Sequence, residues 1–351
     1  MIKKPFTFFR SIFMYMTLVK KDERSVILIL ISSFLIMSLF SSYLFYAMIQ
    51  GNLSQISTFY LIALGTSALF FVKQLRTEWS CVKCQLKQKP KLTHSINLKL
   101  FAALVGGAYV TFLLNHQLSL GGVLASSAVG LVGAYLFKPY AAAIYCGSFV
   151  GMACNLIFST PLSFITASVV AGVLYVLSVQ LFRGFGGKLG FTAFCGTILA
   201  SILFNTPFRT LDPLSPSLYL PLFLSIILAG MATYFLQNVF AMDAVTASAL
   251  VGLTIALVYP QSSHIVVVAA FCATFTGMVS KERARNYAEM FFLTLLTAIL
   301  FIAVASLFDG SGGKLGATAF LSTVSGRAML DTLYWVKSTV IKTAKQSVKI
   351  S

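Results

Sequence analysis

The sequence predicts an all-α polytopic membrane protein, and three observations carry that prediction. The 351 residues are 58% hydrophobic and only 10% charged, far below the roughly 25% charged of soluble domains. Apolar runs long enough to cross a bilayer recur from position 26 to position 330. The runs are continuous rather than alternating, which selects helices over a barrel, the two structures that lipid tolerates.

About twelve segments reach helix length: 26–49, 56–72, 100–116, 119–137, 141–158, 162–182, 188–204, 218–237, 242–259, 264–280, 287–308 and 313–330. The first two form a transmembrane hairpin, 26–72, whose connector 50–55 is uncharged. The run 26–49 is too long for the core of a cleavable signal. Ahead of it, residues 1–25 mix Phe6, Phe8, Phe9, Ile12, Phe13 and Met16 with Lys3, Lys4 and Arg10, the composition of a basic helix lying in the headgroup layer. Residues 73–99 read as a basic cytoplasmic loop and 331–351 as a basic cytoplasmic tail.

The other ten segments divide into two fives, 100–204 and 218–330. Residues 182–197 read FRGFGGKLGFTAFCGT and residues 308–323 read FDGSGGKLGATAFLST, identical at 11 of 16 positions with an offset of 126. Residues 123–131 match 245–253, Lys138-Pro139 aligns with Tyr259-Pro260, and Phe149-Val-Gly-Met152 matches Phe275-Thr-Gly-Met278. The matches keep their order and the offset stays between 121 and 126, the mark of a duplication. Five is odd, so if every segment spans, the second half enters from the opposite face. That is the inverted-topology repeat of many secondary transporters. Charge agrees. With the N-terminus inside, the inside connectors are 73–99, Lys138, 183–188, 281–285 and the tail, all basic. The outside connectors 50–55, 116–117, 159–161, 205–217, 260–264 and 309–314 are nearly neutral, Arg209 offset by Asp212 and Lys314 by Asp309. The positive-inside rule then places both termini in the cytoplasm of a cell-membrane protein, with anionic lipid headgroups as partners of its basic face.

The twin Gly-Gly-Lys-Leu-Gly turns are the first candidate site. Gly186, Gly187 and Gly312, Gly313 can adopt left-handed backbone, and each turn starts a helix whose free N–H groups favour an anion. Lys188 and Lys314 add full positive charge there. A bland reading competes: tight hairpins whose lysines snorkel to headgroups, with Gly190 and Gly316 allowing close helix packing. The Ala-Ser helices place Ser126, Ser127, Thr246 and Ser248 on small faces that suit packing or a polar route. Asp243, Glu289 and Asp309 are the acids in or beside apolar runs, and intramembrane acids are functional candidates. Asp243 and Asp309 are the coupling candidates, against a role as helix-end charges.

Other classes are excluded or unsupported. The net charge of +17 is a loop pattern with no basic-aromatic platform for nucleic acid. Cys81 and Cys84 form a lone Cys-x-x-Cys, and a structural zinc needs about four ligands, so neither metal nor cofactor is expected. No catalytic motif appears, and no enzyme is expected. The expectation is a permease or channel-like facilitator for a small solute, anions included, with its path between two inverted halves. The alternative is a non-transporting scaffold or sensor subunit acting through its basic surface. Either is compatible with an oligomer.

Overall fold

Helix ends in this chain are set by local chemistry that hydropathy does not register. In the computed structural model, Thr160 and Ser163 cap each other reciprocally at the start of one helix. Asp243 accepts from the N–H groups of Val245 and Thr246 at another, and Asn286 accepts from that of Glu289 at a third. Such side chains satisfy donors that a helix leaves orphaned. The structure describes residues 23–53, 57–87, 98–259 and 265–350. The expected interfacial segment up to residue 22, positions 88–97 of the basic loop and the connector 260–264 lie outside the described residues.

Among the described residues there are twelve α-helices and no strand: α1 (Glu23–Asn52), α2 (Thr58–Lys87), α3 (Leu98–His116), α4 (Gly122–Leu136), α5 (Ala141–Gly151), α6 (Pro161–Ser178), α7 (Lys188–Phe204), α8 (Tyr219–Val239), α9 (Ala244–Val258), α10 (Ile265–Gly277), α11 (Tyr287–Val304) and α12 (Lys314–Ile350). Helices α1, α2, α3, α6, α8 and α11 carry the six stretches long and apolar enough to cross a membrane. That supports the membrane class. The other segments counted at helix length are a mixture: α4, α7, α9 and α10 are shorter and α5 has only 11 residues. At 1.5 Å per residue α5 is about 16 Å long, near half the roughly 30 Å hydrocarbon core.

Four segments differ from expectation in extent. The apolar runs 141–158 and 264–280 stop being helix at Gly151 and Gly277. Beyond those ends the backbone turns to other partners: Cys154 N–H donates to the Gly310 carbonyl (2.9 Å) and Ser280 N–H to the Gly184 carbonyl (2.9 Å). Helix α2 continues through Lys87, and α12 runs on through the stretch read as a tail.

Lipid tails offer no hydrophobic drive for helix association, so close packing of small residues must supply it. Helix α3 lies on α5, α8 on α10, α6 on α7 and α11 on α12. Gly147 and Gly151 of α5 sit against the α3 backbone at Leu104 and Ala108, and Gly277 of α10 sits against Gly230 and Thr233 of α8. The α1–α2 hairpin packs on α6, α11 and α12. At one end Asn52 donates to the buried Ala303 carbonyl (2.8 Å). At the other Glu78 pairs with Arg283 (2.9 Å) and Phe34 stacks on Phe182 (5.7 Å).

The rare acid Glu289 is part of this framework. Its carboxylate binds Arg327 at 2.9 Å, both side chains no more than 3% exposed, and it accepts from Tyr334 (2.7 Å) and Arg285 N–H (2.8 Å). Arg327 also meets Asp331 at 2.6 Å and donates to the Arg283 carbonyl. The bond to Glu289 holds the Tyr334 phenol above its ordinary range. Removing one partner strands a buried charge, while removing both does not. Arg327→Met should therefore cost about 3–5 kcal/mol, and the Glu289→Met/Arg327→Met double variant should recover much of it, read as melting temperature of the detergent-solubilised protein.

Candidate functional site

The repeated turns are where the helices are interrupted, and their backbone geometry is the same twice. Phe182 (φ 48°) and Gly184 (φ 77°) correspond to Phe308 (φ 52°) and Gly310 (φ 73°), and Gly187 (φ 78°) to Gly313 (φ 82°). Gly187 and Gly313 cap the starts of α7 and α12 in left-handed conformation, which side chains disfavour.

The two turns lie against each other. A Cβ added to Gly190 would stand 2.6 Å from the Gly316 Cα, and one on Gly316 would stand 2.5 Å from the Gly190 Cα. Gly187 abuts the Gly316 carbonyl and Phe320 N, and Gly313 abuts the Gly190 carbonyl and Phe194 N. Helices α7 and α12 therefore run antiparallel with their first turns side by side. Each turn also meets the C-terminal end of a short helix, Gly186 at the carbonyls of Phe275 and Thr276 of α10, and Gly312 at those of Phe149 and Val150 of α5.

The lysines turn back onto the backbone. Lys188 Nζ donates to the carbonyls of Ser178 (2.6 Å), Val179 (3.2 Å) and Leu181 (2.5 Å). Lys314 Nζ donates to Ala305 (3.2 Å) and Leu307 (2.9 Å). Each ammonium thus caps the end of the helix before its turn, where orphan carbonyls and the negative dipole end favour a cation. Cys146 and Cys272 donate to the carbonyls of Leu189 and Leu315, both at 3.1 Å.

Between the turns stands a ring cluster that the sequence reading missed. Phe149 and Phe275 meet at 4.7 Å, flanked by Tyr145 (4.4 Å from Phe149) and Phe271 (4.6 Å from Phe275). The repeated Phe-x-Gly-Met was the available signal, since it puts a phenylalanine at equivalent ends of α5 and α10. A cavity of about 280 Å³ opens beside the first turn, lined by Tyr175, Arg183, Lys188 and Gly190, with Phe149 and Phe275 in its wall.

The expected polar residues are dispersed. Ser126 bonds Ser148 (2.7 Å), while Ser248 bonds Thr274 (2.9 Å) and Tyr145 (3.1 Å). These are buried cross-helix contacts around the rings. Ser127 is buried against Gly252 with its hydroxyl unpaired. Thr246 is instead bound to the exposed, helix-capping Asp243. Asp309 N–H donates to the Arg209 carbonyl (3.1 Å) in an isolated antiparallel backbone bridge, and Leu211 N–H donates to the Ser306 carbonyl (2.8 Å). The connector after α7 thereby lies across the second turn, with Phe208 on Phe308 (5.5 Å). Among the described residues no group of three or more metal-binding side chains occurs. The chain matches no protein-family model, no curated protein and no solved structure.

Replacing Lys188 with Met leaves three carbonyls without their donor, each worth roughly 1–3 kcal/mol when buried. Lys188→Met should lower the melting temperature clearly, and Lys314→Met, which strands two, should lower it less. Gly190→Leu should prevent accumulation of folded protein, since a Cβ there meets backbone with nowhere to yield.

Proposed function

We propose that the protein is a permease or channel-like facilitator for a small solute, its path running between two inverted halves, α3–α7 and α8–α12. The observation that carries the reading is a cavity with walls from both halves. It reaches from Arg183 and Lys188 at the first turn to the Phe149–Phe275 pair. A scaffold needs no such space, and a filled interface would suit it better.

Equivalent contacts support the inversion. The α4–α9 pair repeats the antiparallel relation of α7 and α12, with Ser127 beside Gly252 and Gly130 beside Ala249. Equivalent residues on antiparallel helices are what a two-fold axis in the membrane plane produces. The short α5 and α10 end at the turns of the opposite half, so the interruptions gather near mid-membrane, where transporters of this plan bind solute. Under the positive-inside orientation the Arg183 turn faces the cytoplasm and the Asp309 turn faces outward, both termini being cytoplasmic.

In this reading the rings are the barrier. Phe149 and Phe275 close the end of the cavity, and solute passes when they part. The protein reconstituted in liposomes should pass small solutes from a panel of anions and neutral molecules. The Phe149→Ala/Phe275→Ala variant should raise that flux, because it removes both rings of the closest pair between α5 and α10. Liposomes as tight as protein-free controls, for both wild type and variant, would sink the transport reading.

A further inference from the structure

The two copies of the turn differ in charge at one place. Arg183 and Asp309 occupy the same position, 126 residues apart. Each stands between a phenylalanine and a glycine at positive φ. The backbone is therefore held in common while the side-chain charge is reversed.

The surroundings amplify the difference. The first-turn cavity is lined by two cations, Arg183 and Lys188, and by no acid. Glu78 shares a neighbouring cavity with Arg183, but its carboxylate is held by Arg283 at 2.9 Å. Three cations thus surround one acid. Lys188 has committed its three donors to carbonyls, so it contributes field and no free N–H. Arg183 is exposed at the cavity mouth and belongs to no ion pair among the described residues. Its planar guanidinium presents a fork of N–H donors that matches two oxygens of one ligand. At the second turn Asp309 stands where that fork would be, in a chain segment bridged to Arg209.

We infer that the first-turn cavity is a capture site for a small oxyanion, inorganic or carboxylate, and that Arg183 sets the charge of the solute admitted. This rests on the permease reading for its role in transport, and on the cavity alone for binding. Walls of one sign around a cleft with apolar sides concentrate counter-ions. Here the apolar sides are Phe149, Phe275 and Met278.

The test uses the full-length protein, with nitrate and acetate as probes and urea as the neutral control. Binding is measured by calorimetry in detergent and flux in proteoliposomes. Arg183→Asp installs the residue that the second copy of the turn already accommodates, so the fold should persist, and a melting curve checks this. The expected result is nitrate and acetate binding by the wild type, weakened ~10-fold or more in Arg183→Asp and largely kept in Arg183→Lys. Anion flux should fall in parallel while urea flux is unchanged. Anion binding that survives Arg183→Asp in folded protein overturns the proposal, as does a wild type that binds neither anion. Binding that depends on Arg183 in a protein that passes no solute upholds the capture site and removes the transport reading instead.

Discussion

A backbone-to-backbone contact between Gly190 and Gly316 governs the middle of this molecule. Two helix starts are brought so close that no Cβ fits at either residue. That approach fixes the antiparallel relation of α7 and α12, and through it the positions of the turns that precede them. It also forces the preceding helices to stop. Helices that stop inside a packed, apolar interior leave carbonyls that water does not solvate, and an unpaired one costs about 1–3 kcal/mol. The lysines answer this need. Lys188 and Lys314 turn back onto the ends of α6 and α11, and so the same five-residue phrase supplies the tight turn, the close contact and the cap.

This geometry changes what the lysines mean. An ammonium with its donors on carbonyls is a structural group that still carries charge. It shapes the potential of the adjoining cavity without offering a ligand its own N–H groups. The contest between a snorkelling lysine and an anion-binding lysine therefore has a third answer, and in the proposed capture site direct recognition passes to Arg183. Asp243 follows similar logic: its carboxylate is engaged by the first N–H groups of α9, which makes it a cap at an exposed helix start.

The helical membrane class was legible in composition and in the length of the apolar runs, and α7 starts and ends where hydropathy and the Gly-Gly-Lys phrase place it. The interruptions at Gly151 and Gly277 were not legible, because the residues directly after them, Met152-Ala153-Cys154 and Met278-Val279, are as apolar as those before. Just past each helix end the chain hydrogen-bonds to a turn 96 or 156 residues away, Ser280 to Gly184 and Cys154 to Gly310, which no local pattern encodes. The ring cluster was half legible. Phe149 and Phe275 stood in a repeated motif, but their meeting needs α5 and α10 to face each other across the interface. Arg183 was legible as a charge and illegible as a distinction, since it took the common backbone of the two turns to make Arg183 and Asp309 comparable.

A duplicated frame with the same lysine at each turn would by itself present similar fields at both ends. Evolution of a direction or a preference then requires a break in the symmetry at a position where the backbone does not care. The site between a positive-φ phenylalanine and a positive-φ glycine is such a position, because its side chain projects from a turn whose shape the flanking residues fix. Arginine there leaves an open, positive cavity at one end. Aspartate at the other adds a negative charge near Lys314, on a turn that the 205–218 connector crosses. The two turns share the glycines and lysine that fix their backbone and differ where, on the proposed path, a solute would first be met.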